Sequence, residues 1–195
     1  GGAGTTPAPM NKEDRSAVLL DERFIQSQLQ EQAIMKFTEK MQSAINEQIA
    51  LEMFSANLYL SMSAHYASAG LDGFAHWYYV QYREELGHAE DMMKYSIERG
   101  GKVRIQAIPA VETDFASALE IAEKAYAHEC LVSSKIEELV RLAAAEQDLA
   151  SQDFFMKYIR EQVEEEATAS NLVDRLRLAQ GAALIFLDKE LAERK

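Results

Sequence analysis

The acidic and imidazole side chains of this chain recur at spacings that would collect them around a cation. Glu85 and His88 are three residues apart, so on a helix they lie one above the other on a single face, with Glu84 beside them. Glu52 sits between Ile49 and Met53, and Tyr59 follows two helical turns later, which aims both side chains the same way. Glu129 stands within His128-Glu-Cys-Leu131, while Glu161, Gln162, Glu164 and Glu165 stack carboxylates and an amide through i, i+3 and i+4 relations. A repeat in spacing ties these groups together. Glu52 precedes Glu85 by 33 residues and Glu129 precedes Gln162 by 33; three positions further on stand His88 in the first half and Glu165 in the second.

Carboxylates on the inward stripe of a helix are anomalous. Gathered together they repel one another unless a cation neutralises them, so a metal is the physical reason for such a cluster. A di-iron site in a helix bundle takes one Glu from each of two helices and a Glu-x-x-His from each of the other two. Here the first half fits, and the second reads Glu…Gln-x-x-Glu. Hard oxygen donors with one imidazole suit Fe(II), Fe(III) or Mn(II) better than copper or structural zinc. His65, His76 and His128 have no comparable partners and read as structural, and Glu166 reads as solvated. Met92, Met93 and the aromatics at 77–79 read as core or interface, and Cys130 as a buried small hydrophobe.

Long helices must position these groups. Residues 10–34 suit a short amphipathic helix through Val18, Leu19, Phe24, Ile25 and Leu29, after a segment over 1–9 that resembles a linker or tag. Met35 fits a natural start, so the chain divides into an N-terminal extension or tag (1–34) and one domain (35–195). From Thr38 to about Ala69 there is neither Gly nor Pro, and Ile45, Ile49, Phe54, Leu58 and Met62 recur at helical spacing. A second helix follows the turn at 70–73, capped by Asp72, and runs to Gly100 and Gly101. The stretch after it holds Pro109, lacks helical period and is longer than a bundle hairpin needs, which marks a crossover. Asp114 or Thr113 caps a third helix to about Ala145; a polar break at 146–148 leads to a fourth ending near Gln180 and Gly181. The apolar remainder forms a short fifth helix that needs burial, as against another subunit. Two short-linked pairs joined by one long crossover specify an all-α bundle distinct from the simple up-down-up-down form.

Composition agrees. The chain has 195 residues, a 48% hydrophobic share and only 9 Gly and 3 Pro, which favours long helices over many short strands. A net charge of −12 repels phosphate backbones and attracts cations, which argues against nucleic acid. A single cysteine excludes a disulfide framework or a multi-thiolate metal site and points to a reducing cytoplasm. No apolar run is long enough for a membrane span, and the first residues lack the apolar core of a secretory signal.

Residues 35 to about 191 resemble non-haem bacterial ferritin. The motifs are Asn-Glu-Gln (46–48), Leu-Glu-Met (51–53), Asn-Leu-Tyr (57–59), Glu-Glu-Leu-Gly-His (84–88), His-Glu (128–129), Glu-Gln-x-Glu-Glu-Glu (161–166) and Leu-Asp-Lys-Glu-Leu (187–191). The resemblance implies a ferritin-like four-helix bundle with one long crossover and a short fifth C-terminal helix. It also implies a ferroxidase that oxidises Fe(II) with oxygen or peroxide, and a homo-oligomeric cage of twenty-four subunits storing ferric mineral. By the same resemblance Glu52, Glu85 and His88 hold a first iron, and Glu85, Glu129 and Glu165 a second, with Glu85 bridging. Glu84, Glu161, Glu164 and Glu165 hold a third, giving two to three irons per subunit. Gln162 orients oxygen or water and Tyr59 donates an electron. No haem is expected, because Leu86 stands where the haem-binding relative has Met. Where the family often has Trp in the fourth helix, this chain has Lys157 beside Tyr158. An inactive cage subunit would lack the ligands on the first two helices; DNA-protecting mini-ferritins lack the fifth helix; rubrerythrin-like oxidases add a cysteine-rich iron domain that one cysteine cannot make. Glu146, Asp148 and Asp153 are candidates for an ion channel.

Overall fold

The structure is a computed structural model that describes residues 12–179, 181 and 183–195; the linker expected over 1–9 lies outside them. The chain divides into two compact units, Gly1–Lys36 and Phe37–Lys195. In the first, α1 (Lys12–Lys36) is a 25-residue helix, and Val18, Leu19, Leu20, Phe24, Ile25 and Leu29 on it all stand exposed.

The second unit holds the four long helices α2 (Glu39–Ser68), α3 (Asp72–Glu98), α4 (Ala118–Ala145) and α5 (Leu149–Leu178), then the short α6 (Ala183–Leu191). It is the all-α bundle with one long crossover that the sequence predicts: α2 packs along α3 and α4 along α5, while residues 99–117 cross over without regular structure. No described helix is long and apolar enough to cross a membrane.

Helix starts are set by side chains that accept the orphan backbone N–H groups of the first turn. Thr38 Oγ1 accepts from Met41 N at 3.1 Å, and Asp148 Oδ1 from Ser151 N at 3.1 Å. Two expected caps are corrected. Thr113 and Asp114 bond to each other, and α4 starts later, where Ser117 accepts from Glu120 N at 3.1 Å and Glu120 accepts from Ala116 N at 2.6 Å. Asp72 is the first residue of α3, and its cap, Leu71, makes no side-chain capping bond. Asp148 is also withdrawn as a channel residue, since it is buried and paired with Arg99 at 2.9 Å.

The core forms two apolar clusters along the bundle. One collects Tyr59, Met62, Tyr78, Ala125 and Leu172 among others, and the other Ile49, Ala89, Val132, Phe155 and Tyr158. Every long helix passes from one cluster to the other through a buried polar residue: Glu52 between Ile49 and Tyr59, Glu85 between Tyr78 and Ala89, Glu129 between Ala125 and Val132, Gln162 between Tyr158 and Leu172. A polar layer is thus enclosed between two apolar ones. Helix α6 docks on the start of α3, where Asp188 Oδ1 accepts from Phe74 N at 2.9 Å. Gly73 permits this approach, because a Cβ there would fall 1.6 Å from the Asp188 carbonyl oxygen.

Candidate metal centre

Glu52, Glu85 and Glu129 are each 2% exposed or less, deep enough that an unpaired charge on any of them would be costly. Helix geometry places Gln48 one turn before Glu52, and its Nε2 donates to Glu52 Oε1 at 2.7 Å. The other oxygen, Glu52 Oε2, and its counterpart Glu85 Oε2 have no hydrogen-bond partner. Both stand 3.6 Å from His88 Nδ1. One donor atom from each of Glu52, Glu85 and His88 falls within a 4.8 Å cluster. Two orphaned carboxylate oxygens and an imidazole nitrogen converging on one point make the donor set that a hard divalent cation would satisfy.

The electrostatics follow. Burial pushes the Glu85 carboxyl well above the usual range, and the Glu52 charge adds to it. Burial also opposes ionisation of Glu52, but contacts from His88 and Gln48 outweigh it and hold Glu52 below the ordinary value. On His88, burial is overcome by the hydrogen bond to Glu161 and by the nearby Glu52 and Glu85 carboxylates, and its pKa is raised. A metal taken up by this imidazole would displace any proton held on the ligating nitrogen. His88 Nε2 meets Glu161 Oε1 at 3.0 Å, leaving Nδ1 turned towards Glu52 and Glu85. A carboxylate behind a ligating imidazole fixes its ring orientation.

The second half is built differently. Tyr59 donates its phenol hydrogen to Glu129 Oε1, and Gln162 Nε2 donates to Glu129 Oε2 at 3.0 Å. Burial, with the Glu165 and Glu52 charges, pushes Glu129 up to about 7. Burial and the Glu129 charge likewise raise Tyr59 well above the ordinary phenol. Glu165 is half-buried, accepts from Gln81 Nε2 at 3.1 Å and is raised by burial. Gln162 also borders a surface cavity of about 450 Å³ with Tyr126, Ser133 and Glu166.

The four carboxylates assigned by resemblance to a third iron are not brought together. Glu161 is on His88, Glu84 on Arg194, Glu165 on Gln81, and Glu164 is exposed. His128 is buried against Ser55 Oγ at 2.7 Å and held below its ordinary pKa by burial. Cys130 is half-buried rather than fully enclosed.

Several contributing residues escape sequence reading. Gln48 was detectable from its i, i+4 relation to Glu52. Tyr158 packs its ring edge-on to His88, 5.3 Å between centroids, and donates to Asp91 Oδ2 at 2.7 Å, while Lys157 pairs with the same carboxylate. Gln81 and Arg194 carry no sequence signal, because their contacts join distant segments.

Comparison with known proteins gives a consistent result. The family described as Ferritin-like domain matches residues 42–179. The bacterial non-heme ferritin of Bacteroides fragilis is 48% identical over 157 residues, covering 80% of this chain and 99% of that protein. A probable bacterial non-heme ferritin-like protein of Haemophilus influenzae is 36% identical over 156 residues, covering 79% and 94%. Among solved structures, an open pore ferritin from Archaeoglobus fulgidus superposes with a TM-score of 0.81 at 44% identity, over 83% of this chain and all of that one.

Proposed function

This chain belongs to the ferritin-like family, and from that premise we propose that it stores iron by oxidising Fe(II) at an intrasubunit two-ion centre. The observation that carries the reading is the pair of buried, partnerless oxygens on Glu52 and Glu85 facing His88 Nδ1. Iron is the substrate. A first ferrous ion takes Glu52, Glu85 and His88; a second takes Glu129 and Glu165 and shares Glu85. Each ion gives one electron, so two Fe(II), one oxygen molecule and two protons yield two Fe(III) and one hydrogen peroxide, or two Fe(II) reduce one peroxide to water. Carboxylates favour the oxidised product because they stabilise the higher charge. Gln162 and Tyr59 hold Glu129 in place from either side, and the phenol of Tyr59 stands ready as a further electron donor. Glu84, Glu161, Glu164 and Glu165 form the onward path for product, and no haem takes part.

The same reading makes residues 1–34 an extension, residues 35–195 the di-iron domain, the cytoplasm its location, and the assembly a cage of twenty-four copies around the mineral. Leu178, Ile185 and Phe186, which are 85%, 57% and 73% exposed around α6, support association with further copies. Stopped-flow absorbance on the metal-free assembly mixed with Fe(II) and oxygen tests the centre. Fast oxidation should saturate at two Fe(II) per subunit and fall more than about 100-fold in Glu85→Ala, beyond the loss expected from an outer partner. An initial rate unchanged in that variant would overturn the assignment. Light scattering should show the cage in both proteins, and a dimer would favour an oxidase acting on another substrate.

A further inference from the structure

The segment after α6 folds back onto α3 and delivers a permanent positive charge to the edge of the carboxylate system. Arg194 Nη2 pairs with Glu84 Oε2 at 2.6 Å and also donates to Gln81 Oε1. Its Nη1 donates to the Trp77 carbonyl at 3.3 Å, and the guanidinium lies over the Trp77 ring, 4.5 Å from the centroid. The residue is fastened at its backbone too, where its carbonyl meets His76 Nε2 at 2.7 Å. The docking of α6 through Gly73 and Asp188, with Leu187 and Leu191 buried, fixes the direction from which this side chain arrives.

Gln81 connects the arginine to the centre. With its Oε1 committed to Arg194, its Nε2 points at Glu165 Oε2, 3.1 Å away. One guanidinium therefore neutralises Glu84 directly and, through a buried amide, orients Glu165. Those are two of the four carboxylates that would have to converge on an ion outside the two-ion centre, and Glu161 is turned to His88.

We propose that Arg194 is a built-in cation at the outer carboxylate site: while it is docked on Glu84 and Gln81, the chain holds two metal ions, and a third is admitted only when the arginine leaves. It acts as a positioning residue on Glu165 and as a competitor for Glu84. The inference rests on the two-ion reading above, and the test separates the two.

The probe is redox-inert Zn(II), titrated by calorimetry into the intact metal-free protein, with Trp77, the only tryptophan, as a fluorescent reporter of the docked guanidinium. Wild type should bind two tight ions per subunit. A third should enter weakly and change tryptophan emission as Arg194 is displaced. Arg194→Ala should bind a third ion at least about tenfold more tightly than wild type, with no emission change in that step, whereas Arg194→Lys should keep the block. His76→Ala, which loosens the segment while sparing every carboxylate and the arginine, should also strengthen the third ion and guards against misfolding of the arginine variant. Equal stoichiometry and affinity in all four proteins would overturn the inference and leave Arg194 as a simple fastener. Loss of the first two ions already in wild type would overturn the two-ion reading and this inference with it.

Discussion

The α2/α3 half of the centre and the α4/α5 half occupy equivalent positions, 33 residues apart within each pair, yet they are chemically unlike. In the first, two carboxylates leave their oxygens partnerless around an imidazole. In the second, Glu129 has both oxygens occupied, by Tyr59 and Gln162, and Gln162 borders a surface cavity. An ion entering the first half satisfies orphaned acceptors and gains nearly their whole desolvation cost; one entering the second must compete with hydrogen bonds already made. On the proposed reading, the repeated framework would hold one ion firmly and one exchangeably, as a centre that passes its product onward requires.

The largest test of that contrast is thermodynamic. An ordinary glutamate titrates at 4.5, whereas Glu129 in the folded chain is raised to about 7. The fold therefore binds the additional proton between those values. Its contribution to stability is complete below the lower value and is lost as pH rises through the higher one, amounting to at most about 3 kcal/mol. Chemical denaturation of the metal-free protein at pH 5 and pH 7 should show wild type losing about 2 kcal/mol more than Glu129→Gln over that interval. Parallel behaviour of the two proteins would show that the second half does not store a proton.

A smaller effect sharpens the first half. Glu161→Gln keeps an acceptor for His88 Nε2 but removes the charge that orients the ring. The affinity of the first ion should fall about tenfold, the lower end of the loss of an outer partner, measured by Zn(II) calorimetry. Unchanged affinity would remove Glu161 from that role. The smallest effect concerns Tyr59. Replacing it by Phe leaves Glu129 Oε1 without its donor and should lower stability by about 1 kcal/mol in urea titrations. A Tyr59→Phe protein as stable as wild type would show that Glu129 is held by Gln162 alone.

Much of this arrangement was legible because helices write their faces into local sequence. Ile45 to Met62, the Glu85–His88 pair and the repeated spacing predict which helices exist and which carboxylates turn inward. Boundaries were less legible: Thr113 and Asp114 are as good caps by type as Ser117, and only Ser117 with Glu120 closes a reciprocal pair of bonds with the backbone. Long-range partners were not legible at all. Nothing near Glu84 announces Arg194, which stands 110 residues away and arrives because α6 turns the chain back. Likewise the turning of Glu161 to His88 depends on how α3 and α5 face each other, which helical periodicity does not specify.

Two ions sharing Glu85 within the buried polar layer is the arrangement on which the proposed activity depends. A crystal of the intact protein soaked anaerobically in Fe(II), with anomalous diffraction recorded at the iron edge, tests it most directly. A strong peak is expected among Glu52, Glu85 and His88 Nδ1 and a weaker one between Glu85 and Glu129. Iron confined to the exposed Glu161–Glu166 face, with the buried layer empty, would contradict it.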